Sequence, residues 1–182
     1  MFTAQLMMAE PKNWRYNLIW QKDRPTGFLN AKRMFMRSHE DIAVFYRALP
    51  TFNPQMRQGF PSHSRGNKQG KPKGNACYGS YNIETYSKEI TTEKYPISVL
   101  HFDKEKELDM HPTQKPVALI QYLIRTYSNE GDTILDNCMG SGTTAIACIK
   151  EKRNFIGFEL NKEYYDKACK RIKLEQAQLT LF

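Results

Sequence analysis

The sequence lacks the patterns of a metal-binding or exported protein. Its four cysteines show no C-x-x-C spacing, so a structural zinc site is not expected and we predict reduced, mostly buried thiols. No apolar run is long enough to cross a bilayer, and the start MFTAQLMMAEPKNW lacks the basic-then-apolar order of a secretory signal. These absences predict a cytoplasmic protein without a membrane partner and without a bound metal.

Acidic residues are also scarce relative to basic ones. Lysine and arginine total 27 against 19 acids, which gives a net charge of +8 and favours a polyanionic partner such as nucleic acid. The length of 182 residues suits one α/β domain with an insertion, whereas two complete domains would be cramped.

The first half of the chain predicts two strands followed by a long loop. Tyr16–Lys22 and Asp41–Arg47 are rich in β-branched and aromatic residues, and Phe2–Met8 resembles the end of a helix. Residues 50–95 are loop-like. Their centre contains no acid and five cations: Arg57, Arg65, Lys68, Lys71 and Lys73. Because aromatic residues flank these cations, the segment predicts nucleic-acid contact. The alternative is a solvated linker.

The last third has the regular alternation of a parallel α/β sheet. A helix capped by Thr113, with Pro116 in its first turn, is followed by the strand Thr133–Asp136 and a short helix over residues 144–150. A buried strand at Phe155–Leu160 comes next, and Asn161 can cap a final helix that reaches about Leu174.

A glycine turn and a later carboxylate predict a nucleoside pocket. Gly140 and Gly142 follow the strand that ends in Asp136, where missing side chains let backbone amides approach a ligand. Glu159 ends the next strand, close to the offset at which an acid accepts hydrogen bonds from ribose hydroxyls. The same pattern is compatible with an NAD-dependent oxidoreductase, or with a tight turn required only for packing.

Four segments resemble the C-terminal half of bacterial and phage DNA methyltransferases that modify adenine N6 or cytosine N4. They are HPTQKP (His111–Pro116), VALIQYLIRTYS, GDTILDNCMGSGTTAIAC and RNFIGFELNKEYYDKACKRI, in the family's order over residues 111–172. That order is typical of a permuted class in which target recognition lies upstream of the cofactor motifs. One departure is Asn137-Cys138, where many relatives have Pro-Phe. The resemblance separates this reading from the NAD alternative.

The resemblance implies an incomplete, Rossmann-like S-adenosylmethionine-dependent methyltransferase fold with an inserted, loop-rich target-recognition region. Residues 1–49 would belong to the catalytic domain, 50–100 to target recognition and 101–182 to the cofactor-binding portion. It implies double-stranded DNA as partner, adenine N6 as target and a role in restriction–modification, in bacteria or a phage. The implied cofactor-binding residues are Thr113, Lys115, Pro116, Asp136, Met139, Gly140, Ser141, Gly142, Thr143 and Glu159.

The family's catalytic motif is missing from this sequence. Members align the target amine with an Asp/Asn-Pro-Pro-aromatic tetrapeptide, and the nearest string, Asn53-Pro54-Gln55-Met56, lacks the second proline and the ring. No catalytic residue is therefore assigned. The motif is expected upstream of Phe2, so that the chain is a truncated product, a fragment, or one subunit of a split enzyme whose partner carries the motif. Alone, the chain is expected to have little or no methyltransferase activity. The alternative is a non-catalytic remnant that keeps the cofactor or DNA sites.

Overall fold

The computed structural model describes residues 2–61, 91–104 and 114–179. The chain divides into two compact units, one comprising residues 1–55 and 97–182 and the other residues 56–96. In chain order the helices and strands are α1 (Phe2–Ala9), β1 (Trp14–Thr26), β2 (Arg37–Phe45), β3 (Arg57–Gln58), β4 (Glu93–Lys94), β5 (Val99–His101), α2 (Val117–Tyr127), β6 (Thr133–Asp136), α3 (Thr143–Lys150), β7 (Asn154–Gly157) and α4 (Lys162–Leu179).

The larger unit contains a three-stranded sheet in the order β2-β1-β5. Strands β1 and β2 are antiparallel, and β1 pairs in parallel with β5, so that Trp20 lies opposite Leu100. Both strands predicted in the first half are confirmed, but β1 is longer at each end and β2 begins earlier and ends at Phe45. In the smaller unit, β3 and β4 form a short antiparallel pair.

Helix α2 joins two apolar clusters because it is buried on two faces. On one face, Leu119 packs with Trp20 and Leu100 of the three-stranded sheet. On the other, Val117 and Ile124 pack with Ile146, Ala147 and Cys148 of α3. Burial raises the pKa of the Cys148 thiol to about 11, so this thiol stays protonated at neutral pH. Helix α2 therefore links the three-stranded sheet to α3 through its two buried faces.

The second sheet of the larger unit consists of the parallel strands β6 and β7, which α3 connects. The two strands pair from Thr133 opposite Asn154 to Asp136 opposite Gly157. This confirms the predicted α/β class and the part of a Rossmann-like fold that the sequence indicates. Helix α4 begins as predicted, because the Asn161 side chain accepts hydrogen bonds from the amides of Glu163 and Tyr164 at 2.9 and 3.3 Å.

Two local predictions were wrong. Pro116 is not in the first turn of α2; it precedes the helix with an extended backbone (ψ 136°), and the predicted cap Thr113 lies outside the described residues. The strand predicted at Phe155–Leu160 ends at Gly157 and is not buried. Only one of its faces packs on α3, and on the other face Leu135 and Ile156 lie opposite each other and exposed. Among the described residues, no helix has the length and apolar character required to span a bilayer.

Candidate functional site

A cavity of about 310 Å³ lies at the carboxyl end of β6, beside the glycine turn that leads into α3. This edge of a parallel α/β sheet is where such folds bind ligands. Side chains and backbone from three segments line it: Gln114, Lys115, Ile120, Asp136, Cys138, Met139, Gly140, Ser141, Thr143 and Thr144.

The glycine turn and the distant carboxylate meet at this edge. The Gly140 amide donates a hydrogen bond to Glu159 Oε2 at 2.9 Å, and the Asn161 amide donates to Oε1 at 2.8 Å. These two backbone amides, one on each oxygen, fix the orientation of the Glu159 carboxylate at the edge of the sheet.

Asp136 is held in the same way from two sides. Its Oδ1 accepts a hydrogen bond from the Cys138 amide at 3.0 Å, and its Oδ2 accepts one from Thr144 Oγ1 at 2.5 Å. Cys138 belongs to the turn that follows β6 and Thr144 to the first turn of α3, so contacts close in sequence fix the side-chain orientation. Asp136 therefore places a carboxylate in the cavity wall in a defined orientation.

The backbone of the turn requires glycine for two reasons at Gly142. Its φ of 81° is in the left-handed region, and an added Cβ would lie 3.1 Å from Ala168 Cβ on α4. Arg171 of α4 also donates to the Ser141 carbonyl at 3.4 Å and to Thr143 Oγ1 at 3.3 Å. Helix α4 is thus packed directly against the turn and maintains its shape.

The far wall of the cavity is tied to the three-stranded sheet through Lys115. Its ammonium lies 2.9 Å from Glu40 Oε2 on β2 and 5.9 Å from the centroid of the buried Trp20 ring. The buried Lys22 lies 3.7 Å from Glu40 Oε1. Partial burial raises the pKa of Glu40, but the hydrogen bond and charge of Lys115, with the charge of Lys22, outweigh it and hold the pKa below its usual value.

Replacing Glu40 with glutamine is expected to lower the free energy of unfolding by about 0.5–1 kcal/mol near neutral pH, since the Glu40–Lys115 pair is partly exposed and solvent screens it. The folded-state pKa of Glu40 is depressed, so its contribution is present above the ordinary value of 4.5 and is lost as pH falls through the folded pKa. Urea denaturation of both proteins at neutral and acid pH measures this. A stability difference that persists at acid pH would contradict it.

The structure gathers most of the predicted site residues but not all. Six of them line the cavity: Lys115, Asp136, Met139, Gly140, Ser141 and Thr143. Gly142, Glu159 and Pro116 adjoin these residues without lining it. The sequence analysis did not single out Gln114, Ile120, Cys138 or Thr144 as site residues, although each lies within a segment that carries the family resemblance.

The structure describes one of the five predicted DNA-binding cations. Arg57 is in the smaller unit, on β3, where its Nε donates to the Tyr95 carbonyl at 3.1 Å. Arg65, Lys68, Lys71 and Lys73 lie outside the described residues. Asn53 belongs to the string that most resembles the missing motif. Its side-chain amide donates hydrogen bonds to the carbonyls of Arg125 and Ser128 at the end of α2, at 3.2 and 3.0 Å.

Curated relatives of this chain are DNA methyltransferases. It is 34% identical over 178 residues to the Type II methyltransferase M1.MboII of Moraxella bovis, a match covering 92% of this chain and 65% of the relative. It is 40% identical over 84 residues to the DNA adenine methyltransferase YhdJ of Escherichia coli (strain K12), covering 44% of this chain and 29% of the relative. The chain thus spans less than two thirds of the length of either.

Solved structures agree in fold. The M1.HpyAVI–SAM complex is 30% identical, with a TM-score of 0.60, over 94% of this chain and 69% of that one. The cytosine-N4-specific PvuII DNA methyltransferase, at 15% identity and a TM-score of 0.59 over 93% of this chain and 55% of that one, shares the fold alone. The family model described as DNA methylase (N6_N4_Mtase) matches residues 1–170. Since that match spans most of the sequence, the chain belongs to the N6_N4_Mtase family of DNA methylases.

Proposed function

We propose that this chain binds S-adenosylmethionine in the cavity beside β6 and serves the methylation of a base amine in duplex DNA, adenine N6 in particular. The observation that carries the proposal is the hydrogen bond between the Gly140 amide and the Glu159 carboxylate at the carboxyl edge of the parallel strands. It brings together the two features from which the sequence predicts a nucleoside pocket.

The donor and acceptor set fits an adenosyl sulfonium ligand. The Glu159 carboxylate, held at the edge of the sheet, is a group of the kind that binds ribose hydroxyls, and Asp136 presents a fixed carboxylate that suits an ammonium or sulfonium group. The Lys115 ammonium, which is held by Glu40, also lines the cavity and adds a positive charge to its wall. The cavity volume is at the lower end of the range for small-molecule sites. When bound, the cofactor would supply an electrophilic methyl group.

Adenine N6 is favoured as the target because YhdJ, 40% identical over 84 residues, is named a DNA adenine methyltransferase. The cytosine-N4-specific neighbour has only 15% identity. The similarity to a Type II methyltransferase supports a place in restriction–modification. A DNA substrate also agrees with a cytoplasmic location, and we retain residues 50–100, with the cations from Arg57 to Lys73, as the proposed target-recognition region.

The amine-aligning motif must come from elsewhere for transfer to occur, because the printed sequence contains no Asp/Asn-Pro-Pro-aromatic tetrapeptide. We propose that a polypeptide segment outside these 182 residues supplies it. The exposed apolar face formed by Leu135 and Ile156 supports this, since contiguous apolar surface is typical of sites that another segment covers. The alternative is a chain that binds the cofactor or DNA without catalysing transfer.

Titration calorimetry with S-adenosylmethionine and with NAD⁺ tests the proposal on the purified chain. Binding of S-adenosylmethionine and none of NAD⁺ is expected. Asp136→Asn is expected to weaken binding at least about tenfold, because hydrogen bonds to charged groups contribute about 1.5–3 kcal/mol. The control is Asp166→Asn, an exposed carboxylate on α4 that pairs with Lys162. Affinity for NAD⁺, or equal S-adenosylmethionine affinities in all three proteins, would refute the proposed function.

A further inference from the structure

The connection between β1 and β2 exposes large apolar side chains without covering anything with them. We name residues 24–37, RPTGFLNAKRMFMR, the apolar–basic loop. Leu29 and Phe35 are 98% and 99% exposed, and Phe28 and Met34 are also exposed. Soluble proteins rarely leave several large apolar side chains together in solvent unless a partner covers them. This predicts a contact surface.

The charge of the loop indicates the kind of partner. Four cations alternate with the apolar side chains, namely Arg24, Lys32, Arg33 and Arg37, and residues 24–39 contain no acid. The acid preceding the loop, Asp23, lies 3.9 Å from the Arg24 side chain. Cations that neutralise phosphates, interleaved with groups that pack on bases, are typical of nucleic-acid contact.

The backbone of the loop is ordered although its side chains project into solvent. Gly27, with φ 95°, begins a single 3-10 turn over Phe28–Asn30, and the Asn30 amide donates to the Gly27 carbonyl at 3.0 Å. The amides of Arg33 and Met34 both donate to the Asn30 carbonyl, at 2.8 and 3.0 Å. A preordered backbone lowers the entropic cost of binding a partner.

The loop leads into β2, a strand that is linked to the cavity wall by one ion pair. Its last residue, Arg37, is three residues before Glu40 on β2, a separation of about 10 Å along a strand. Glu40 in turn contacts Lys115 in the cavity wall. A polyanion bound at this end of the loop would therefore lie about 10 Å along β2 from a residue that touches the cavity wall, and an enzyme that acts on an extruded base needs duplex contacts close to its pocket.

We propose that the apolar–basic loop is a duplex-DNA contact of this chain, separate from the region of residues 50–100. Lys32 and Arg33 pair with phosphates, while Leu29 and Phe35 pack against sugars and base faces at the site where the target base leaves the stack. Exposed apolar side chains that wedge between base steps are a known way of opening a duplex. The inference rests on the proposed function only in its choice of DNA as the polyanion.

The test is fluorescence anisotropy of a short labelled duplex with the purified full chain, from about 50 to about 200 mM salt. Lys32→Ala/Arg33→Ala is expected to weaken binding and to reduce the slope of log affinity against log salt by about 1–2, because each phosphate contact contributes about 0.9. Leu29→Ser/Phe35→Ser is expected to weaken binding about tenfold with an unchanged slope, since stacking is not ionic.

Matched controls on α4 remove the same kinds of group from an exposed surface elsewhere: Lys170→Ala/Lys173→Ala and Leu174→Ser. Both are expected to bind DNA like the unaltered chain. Calorimetry with S-adenosylmethionine on every variant keeps the two hypotheses apart, because loop variants should retain cofactor affinity. If the unaltered chain does not bind S-adenosylmethionine, the proposed function is refuted but the loop inference is not.

The loop inference is overturned if the loop variants bind DNA as the controls do, or if the unaltered chain does not bind the duplex at the lowest salt. A membrane surface is the other partner that such a loop could contact. Sedimentation with anionic phospholipid vesicles distinguishes it: loop-dependent binding to vesicles without loop-dependent binding to DNA would replace our assignment with a lipid contact.

Discussion

Glu159→Gln is expected to lower the affinity of this chain for S-adenosylmethionine about 10- to 100-fold. Glutamine has the shape of glutamate but replaces one acceptor oxygen with an amide donor. In the structure both carboxylate oxygens accept backbone N–H bonds, from Gly140 and Asn161, so the new donor would face another donor. The ligand also loses a charged acceptor, and a hydrogen bond to a charged group contributes about 1.5–3 kcal/mol.

Calorimetry combined with thermal denaturation distinguishes ligand binding from a purely structural role of Glu159. If the carboxylate contacts the cofactor, the affinity of Glu159→Gln for S-adenosylmethionine falls about 10- to 100-fold while its melting temperature stays close to that of the unaltered chain. The control Glu163→Gln removes an exposed carboxylate in the first turn of α4 that pairs with Lys167. It should leave affinity unchanged. A Glu159→Gln protein that melts at a lower temperature but binds the cofactor as before would show that the carboxylate only shapes the turn.

Gly142→Ala is expected to destabilise the fold by about 2–5 kcal/mol. The left-handed backbone at φ 81° costs about 1–2 kcal/mol for any residue with a Cβ, and overpacking against Ala168 adds about 1–3 kcal/mol. Gly131→Ala is the matched control, because Gly131 has φ 85° but nothing within 4 Å of an added Cβ. It should cost only the backbone part, about 1–2 kcal/mol.

Urea denaturation of the two variants isolates the packing term as the difference between them. Adding Ala168→Gly to Gly142→Ala should recover part of that difference, reduced by the cost of about 1 kcal/mol for glycine within a helix. Equal destabilisation by Gly142→Ala and Gly131→Ala would contradict the close contact between the glycine turn and α4.

Local patterns predicted the elements around the site well. The strand Thr133–Asp136, the glycine turn and the cap of α4 at Asn161 each depend on residues that are neighbours in sequence, and the structure confirms all three. The first strand was predicted too short, because the ends of β1 are extended by pairing with β2 rather than by their own apolar pattern. Local propensity carries no information about such a partner.

The solvent-exposed face of β7 shows a second limit of prediction from local sequence. An apolar run predicts a buried strand, since apolar runs in parallel sheets are usually covered on both faces. Here Ile156 is exposed because, among the described residues, nothing packs on that face. Similarly, the apolar character of the β1–β2 connection is visible in the sequence, but that its side chains are left in solvent is a property of the fold.

The sequence by itself determined the chemistry of the site: a strand ending in Asp136, a glycine turn, and a carboxylate at the end of the next strand. Only the tertiary structure decided which groups meet there. It set the direct hydrogen bond between the Gly140 amide and Glu159, which the predicted pocket did not specify, and it paired Lys115 with Glu40 on β2, which no pattern indicated. The physical reason is that hydrogen bonds and ion pairs between segments far apart in the chain depend on how helices and sheets pack. Apolar periodicity shows which face of an element is buried, but it does not show which segment packs against that face.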